Sequence, residues 1–417
     1  MKINTTWRTV AKDNPREMWK MINYKENDTK KKPKKINEKV IQEYFKSIFQ
    51  AQKLQNNPTI DDIKDTLITY HVYIPLLDDD FTVNELNEAI RKNGNGFGLD
   101  SIDKKIANVF TVSLRKSILN FFNHIFGSDY AAVWRKQLLR PEKKKGHSEH
   151  NPKLRGVAIS QVLPTLYDIM IYNRFNQWYT PNIEQAGFRE KQGCILQIFA
   201  IYVVMEFVRS IGKSLYIGFL DYEKAFDFIN WKNIVSHLME RGAGARFTRA
   251  IANMYEETSY IPKVCNRIGD AIVAKHGVTQ GRQSSTSLFS FEVKELAKNV
   301  DVPESCLYGF NVFQLADDTA LLAEAINILR QMFGKCLQFS DENFMFANID
   351  KTYFLHLQDD PDTHPIQIDD NTTISAAELN EYIYLGVIFV ASNNILRHIK
   401  RNLQNRAFQR SAYTLIG

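Results

Sequence analysis

The sequence predicts an α+β protein organised around an antiparallel sheet. Two short apolar runs, Phe310 to Ala316 and Ala320 to Ala323, flank the polar pair Asp317-Asp318 and read as a β-hairpin. A continuous apolar run, Leu215 to Leu220, has the character of a strand covered on both faces, and it ends at Asp221. Segments of helical periodicity surround these, with Ile41, Tyr44, Phe45, Ile48 and Phe49 early, and Ile326, Leu329, Phe333, Cys336 and Leu337 after the hairpin.

The 417 residues leave room for two or three subdomains. A hydrophobic content of 44% and a charged content of 24% are ordinary for a globular chain, and the net charge of +6 permits an anionic partner without requiring one. Cys194, Cys265, Cys306 and Cys336 have no zinc-ligand spacing, which predicts reduced, buried thiols in a reducing compartment. Met1 is followed by polar and charged residues, so an intracellular location, nuclear or cytoplasmic, is expected. The most apolar stretch, Ile195 to Val208, is short for a bilayer and contains Gln197 and Glu206. It predicts a buried core helix and no membrane partner.

In chain order, residues 1–90 read as helical and charged, with Trp7, Trp19, Met21 and Ile22 on one amphipathic helix. Lys30, Lys31, Lys32, Lys34 and Lys35 form either a solvated linker or a phosphate-contacting arm. Thr82 with Glu85 is the signature of a capping box opening a helix. The loop Asn93 to Asp100 is glycine-rich but lacks the Gly-Lys-Ser/Thr of a P-loop and reads as a turn. A basic segment from Arg140 through Lys143, Lys144 and Lys145 reaches Lys153 and Arg155. Apolar residues flank Arg155, so a basic hairpin with a packed arginine suits a triphosphate or a template backbone, a charged surface loop being the alternative. Gln185 to Arg189 is a further glycine turn carrying a basic residue.

Adjacent carboxylates repel unless a cation lies beside them, and their oxygens suit a hard divalent ion. The pairs Asp61-Asp62, Asp78 to Asp80, Asp359-Asp360 and Asp369-Asp370 lie in polar surroundings and read as surface; only Asp317-Asp318 is wedged between apolar runs. If the strand ending at Asp221 pairs with the hairpin, Asp221 faces Asp317 across one or two metals. Two cations roughly 3.5–4 Å apart activate an attacking hydroxyl and hold the leaving phosphate oxygens. Phe226 reads as core packing or as a ring against a nucleotide sugar, and Asp227 as a helix cap or surface charge. In Gly277 to Phe289, small residues let a ligand approach the backbone, and Gln280 can bond a base or sugar edge. Asn348 to Thr352 turns into a strand at Tyr353 to Leu357, and Tyr384 to Phe389 reads as another strand. The last segment, 394–416, is helical and basic, with Arg397, Lys400, Arg401, Arg406 and Arg410 on a solvated or duplex-gripping face.

The order of these motifs resembles the reverse transcriptases of non-LTR (LINE-type) retrotransposons. Phe219 to Asp227 is similar to the family's first catalytic motif, Gly277 to Gly281 with Ser285 and Leu288-Phe289 to the second, and Ala316-Asp317-Asp318 to the third. Asn348 with Lys351-Thr352, then Tyr384-Leu385-Gly386, resemble the next two. Gly98-Leu99-Asp100, Lys144-Lys145-Gly146, Arg155-Gly156-Val157 and Gln185 to Arg189 resemble the family's fingers motifs. Leu315, Thr286 and Gln197 depart from the pattern, where an aromatic, a proline and an acidic residue are usual.

The resemblance implies a right-hand polymerase with fingers and palm, an antiparallel palm sheet flanked by helices, and a truncated thumb. Its divisions are an N-terminal helical extension at 1–90, fingers at 91–213, palm at 214–380 with a fingers insertion at about 230–275, and the start of a thumb at 381–417. Nothing in the sequence looks like the family's endonuclease domain or its Cys/His knuckle. Asp221, Asp317 and Asp318 become the metal-binding catalytic carboxylates, with Mg²⁺ or alternatively Mn²⁺, and Lys351 a proton donor to pyrophosphate. Arg155, Lys143, Lys145, Phe226 and Gln280 fall to nucleotide binding. Lys144, Arg189, Arg282, Arg397 and Arg401 fall to nucleic-acid contact. The partners are an RNA template, a DNA primer and dNTPs. The alternative is a catalytically inactive, nucleic-acid-binding remnant of a retroelement.

Overall fold

The computed structural model describes residues 38–404 apart from 144–153, 182–183, 190–191, 265–266, 301, 303–306, 308–309, 359 and 393–394. The Trp7/Trp19 helix, the Lys30 to Lys35 run, Lys144, Lys145, Arg406 and Arg410 lie outside the described residues, as does the side chain of Lys143.

The strands in chain order are β1 (Lys136–Lys143), β2 (Leu154–Ile159), β3 (Tyr216–Leu220), β4 (Ser259–Val264), β5 (Arg267–Ile268), β6 (Ile272–Val273), β7 (Val312–Leu315), β8 (Asp318–Ala323), β9 (Tyr353–His356), β10 (Ile366–Gln367), β11 (Thr373–Ala376), β12 (Glu381–Tyr384) and β13 (Val387–Val390). The central sheet runs β10-β11-β9-β3-β8-β7, with β3 antiparallel to both β8 and β9. This bears out the α+β class; the sheet is antiparallel at its centre, from β9 to β7, while β11 pairs with β9 in parallel.

The uninterrupted apolar run of β3 follows from its position, because all five residues are buried and each face meets its own core. Ile217 and Phe219 join one core with Ile201, Met205 and Val208 from the helix Cys194–Ser210, while Tyr216 and Leu220 join the other with Leu329 and Phe333 from the helix Ile326–Glu342. Gly218 is where that second helix comes closest, since a Cβ there would lie 2.5 Å from Phe333.

The expectation of a buried core helix at Ile195 to Val208 holds for one side only. Ile198, Ile201, Val204, Met205 and Val208 face the sheet, but Ile195, Leu196, Phe199, Val203 and Phe207 are exposed, because this helix has the sheet on one flank. Cys194 at its start is exposed, correcting the expectation that the cysteines are buried; Cys336 is buried. Among the described residues no helix is long and apolar enough to cross a membrane.

The second sheet runs β2-β1-β4-β5, with β6 also on β4. The helix Glu38–Phe49 lies on it: Phe49 stacks 4.3 Å from Tyr260, and the Tyr44 hydroxyl donates to the Leu154 carbonyl at 3.0 Å. The predicted apolar face is the one that packs. One core then continues from Ile41 through Ile374, so the described residues before position 91 share a core with the rest. The Thr82/Glu85 capping box forms at the helix Val83–Lys92, and Glu85 also holds the buried Arg174 at 2.6 Å.

The single strand expected at Tyr384 to Phe389 is instead a hairpin, β12 against β13. Leu385 (φ 49°) and Gly386 (φ 80°) make a two-residue turn of left-handed residues, the geometry that matches strand twist.

Candidate active site

The β3–β8 register aligns Leu220 with Thr319, and one step further sets Asp221 beside Asp318. The β7–β8 pairing of Leu315 with Asp318 leaves Ala316 and Asp317 as the two-residue turn. The three acids that the motifs single out therefore meet at one end of one sheet. Ala316 carries φ 59°, a left-handed conformation that costs an alanine on the order of 1 kcal/mol.

The backbone around Asp221 is held from the far side. Its amide donates to the Thr352 hydroxyl at 3.3 Å, its carbonyl accepts from the Asn348 amide at 2.8 Å, and Tyr222 bridges to Ala347. The same turn delivers Lys351, whose ammonium lies 3.1 Å from the Asp221 carboxylate. Asp318 keeps open surface, yet protein crowds its flanks. Burial, with the charges of Asp317 and Asp221 adding, pushes its carboxyl up to about 6.

Among the described residues no group of three or more His, Cys, Asp or Glu side chains is gathered closely enough to hold a metal ion as it stands. The predicted ligand set shares a sheet end but does not form a ready-made cage. Like charges repel one another, and Asp221 already has Lys351 as its counter-charge. The donor chemistry does suit a hard divalent ion, since all three groups offer carboxylate oxygens and their mutual repulsion is what such an ion relieves.

Phe226, on the short helix Ala225–Phe228, is half-buried; its ring stacks 4.2 Å from Phe289 and meets Phe188 edge-on at 5.9 Å. Gln280 donates to the Asp227 carboxylate at 2.9 Å, which turns Asp227 from a helix cap into the glutamine's anchor. Its carbonyl accepts from the Ala158 amide at 2.7 Å, tying the glutamine loop to β2, the strand that carries exposed Arg155 opposite Glu142. Two glycines make this possible: at Gly277 (φ 89°) a Cβ would lie 2.4 Å from the Asp227 carbonyl, and at Gly281 (φ 125°) 2.2 Å from the Ala158 carbonyl.

Three basic residues assigned to nucleic acid are placed differently. Arg282 is a correction. It is 5% exposed, with its guanidinium 3.2 Å from the Tyr130 hydroxyl and the buried Asp168 nearby as counter-charge. The helix Gln283–Glu292 starts directly after it and carries the side chain inward. Arg401 makes a two-pronged pair with Glu381, at 2.8 Å on each prong, and Arg189 donates to the Gln185 carbonyl at 3.3 Å. Arg397 is exposed on the helix Ile395–Gln404.

Sequence reasoning missed Gln185, Gln197 and Tyr384. Buried Gln185 bonds the backbone of Ala316, buried Gln197 bonds the carbonyls of Glu184 and Gln314, and the Tyr384 hydroxyl lies 3.4 Å from the carbonyls of Phe313 and Asp318. A polar residue inside an apolar run is the signal that could have found Gln197.

Residues 142–389 match the family model described as reverse transcriptase (RNA-dependent DNA polymerase). The chain belongs to the reverse transcriptase family. This bears out the resemblance drawn from the motif order. The sequence is also 24% identical over 251 residues to the retrovirus-related Pol polyprotein from type-2 retrotransposable element R2DM of Drosophila melanogaster. That stretch is 58% of this chain and 24% of the relative, so this reverse transcriptase chain spans about a quarter of that relative's length. Two solved structures from Candida tropicalis align over 68% of the chain at 10% identity. Apo telomerase truncated from its C-terminal domain does so with a TM-score of 0.43 over 60% of its length, and telomerase with a fragment of telomeric RNA with 0.44 over 48%.

Proposed function

We propose that this chain extends a DNA primer on an RNA template, joining dNTPs to the primer 3′-hydroxyl as the polymerase of a non-LTR retrotransposon. The observation that carries the reading is the strand register that sets Asp221 beside Asp318, with Asp317 in the adjoining turn. These carboxylates would hold Mg²⁺, with Mn²⁺ as a substitute, and Lys351 would have to leave Asp221 for them to do so. When bound, the ions supply charge neutralisation and activation of the attacking hydroxyl. Lys351, so placed, protonates the departing pyrophosphate. Arg155, with Lys143 and Lys145, meets the triphosphate, Phe226 sets its ring against the sugar, and Gln280, anchored by Asp227, contacts the nucleotide. Residues 91–213 with about 230–275 serve as fingers, 214–380 as palm, and 381–417 begin a thumb. The test is primer extension on an RNA template with Mg²⁺: Asp317→Asn should abolish incorporation, and an undiminished rate in that variant defeats the assignment.

A second reading, a nucleic-acid-binding remnant without activity, draws on the Lys351–Asp221 pair and the absence of a ready-made cage among the described residues. It predicts salt-dependent RNA binding with no incorporation in either metal.

A further inference from the structure

The turn that carries Asp317 is not shaped by its own hairpin alone. The segment Glu184 to Gly187 lies along β7 as a short extra edge: the Gln314 amide donates to the Glu184 carbonyl and the Ala186 amide to the Gln314 carbonyl, both at 2.8 Å. Buried Gln185 then reaches around the end of that edge. Its carboxamide oxygen accepts from the Ala316 amide at 2.9 Å and from the Gly187 amide at 2.8 Å, while its NH₂ group donates to the Ala316 carbonyl at 3.2 Å. Both polar groups of the left-handed alanine are thus satisfied by one side chain, and the two amide donors fix which way the carboxamide points. Gly187 closes the contact from above, where a Cβ would lie 2.4 Å from the Ala316 nitrogen. A second glutamine locks the arrangement: the Gln197 NH₂ group donates to the Gln314 carbonyl at 2.5 Å and the Glu184 carbonyl at 3.2 Å. Accepting carbonyls demand a donor, which a carboxylate is not, so glutamine at 197 fits where an acid would have to stay protonated.

We propose that Gln185, locked in place by Gln197, is a positioning residue for the catalytic acids: it holds the Ala316–Asp317 turn in its left-handed form and so fixes where the Asp317 carboxylate is presented. The inference rests on the polymerase reading of that turn. Gln185 touches no reacting atom. It has the right character for the task, being neutral beside three acids and able to accept and donate at once, whereas a carboxylate there would add a further negative charge and lose the donor.

The experiment compares the 417-residue chain with Gln185→Met, which keeps bulk without hydrogen bonds, Gly187→Ala, which presses on the same turn from the other side, and Asp317→Asn. Two readouts are taken: primer extension, and amide hydrogen exchange of the peptide spanning residues 312–323. Gln185→Met should lower kcat by about 100-fold with the dNTP KM held within about threefold, the signature of lost orientation rather than lost binding. Exchange in the hairpin should rise about tenfold while the helix Val162–Trp178 keeps its protection. Unchanged hairpin exchange in Gln185→Met overturns the clamp, whether or not the parent chain extends primers; so does a parental rate in Gln185→Met alongside an inactive Asp317→Asn, which leaves the site assignment standing. Full activity in Asp317→Asn instead removes the polymerase reading itself. Should Gln185→Met not fold, Gly187→Ala decides alone, parental exchange and rate in it overturning the proposal.

Discussion

The ammonium of Lys351 rests 3.1 Å from the Asp221 carboxylate, although the two residues lie 130 positions apart in the chain. The pairing is local in space because Asn348 and Thr352 bond the backbone on either side of Asp221, so the turn bearing the lysine is fastened to the strand end bearing the acid. A cation of the chain's own thus occupies the flank of a carboxylate assigned to a metal.

Replacing this lysine separates its charge from its proton. Lys351→Ala should lower the single-turnover rate of incorporation by about 100-fold, the usual scale for a lost general acid. Lys351→Arg keeps a cation on Asp221 yet holds its proton too tightly to give it up, so it should not restore the rate. Rapid-quench primer extension at saturating dNTP checks both, and a parental rate in Lys351→Ala refutes the assignment.

The raised carboxyl of Asp318 makes stability pH-dependent in a defined direction. Without metal, the folded chain holds this proton up to about 6, above the ordinary carboxylate range. The folded state therefore binds the proton more tightly than the unfolded one, and the stability this confers is present at low pH and fades as pH rises from about 4 to about 6. Asp318→Asn should be more stabilising relative to the parent at pH 7 than at pH 4, in urea titrations with chelator present. At limiting Mg²⁺ the parent's incorporation should show an acid limb near pH 6 that moves lower as Mg²⁺ is raised.

Phe226 stacks on Phe289, so its ring position is fixed by packing. If it bars a 2′-hydroxyl, Phe226→Val should reduce discrimination of dNTP against rNTP by about 10–200-fold, the range for steric selection in a pocket. The ratio of kcat/KM for the two nucleotides is the measurement, and an unchanged ratio returns Phe226 to a purely packing role.

Arg282 supplies charge inside the protein instead of at its surface. Arg282→Leu should destabilise folding by about 3 kcal/mol or more, because buried Asp168 loses the guanidinium charge that faces it. The salt dependence of RNA binding by the folded fraction should not change, whereas a lost surface phosphate contact would reduce that slope.

The acids were legible because each sits where an apolar run stops, and a buried strand has few other reasons to end on a charge. That Asp221 and Asp318 become neighbours was carried by the order of motifs; periodicity alone does not choose which strands pair. Arg282 was misread because its neighbours, Gly281 and Gln283, look like a polar loop, while the partners that bury it, Tyr130 and Asp168, come from distant helices and connections. Gln185 was legible only as part of the glycine turn Gln185 to Arg189 and not for its own role, since a buried glutamine and a surface one are written alike until the backbone it serves is known. The hairpin at Leu385-Gly386 was within reach: the glycine marks a turn, and the apolar residues on both sides hid it by reading as one strand.

The left-handed Ala316 sets ease of folding against rigidity of the turn. Its left-handed backbone is one that glycine adopts freely, so Ala316→Gly would ease the fold while slackening the tip of the hairpin. Sturdiness and fidelity therefore pull in opposite directions at this position.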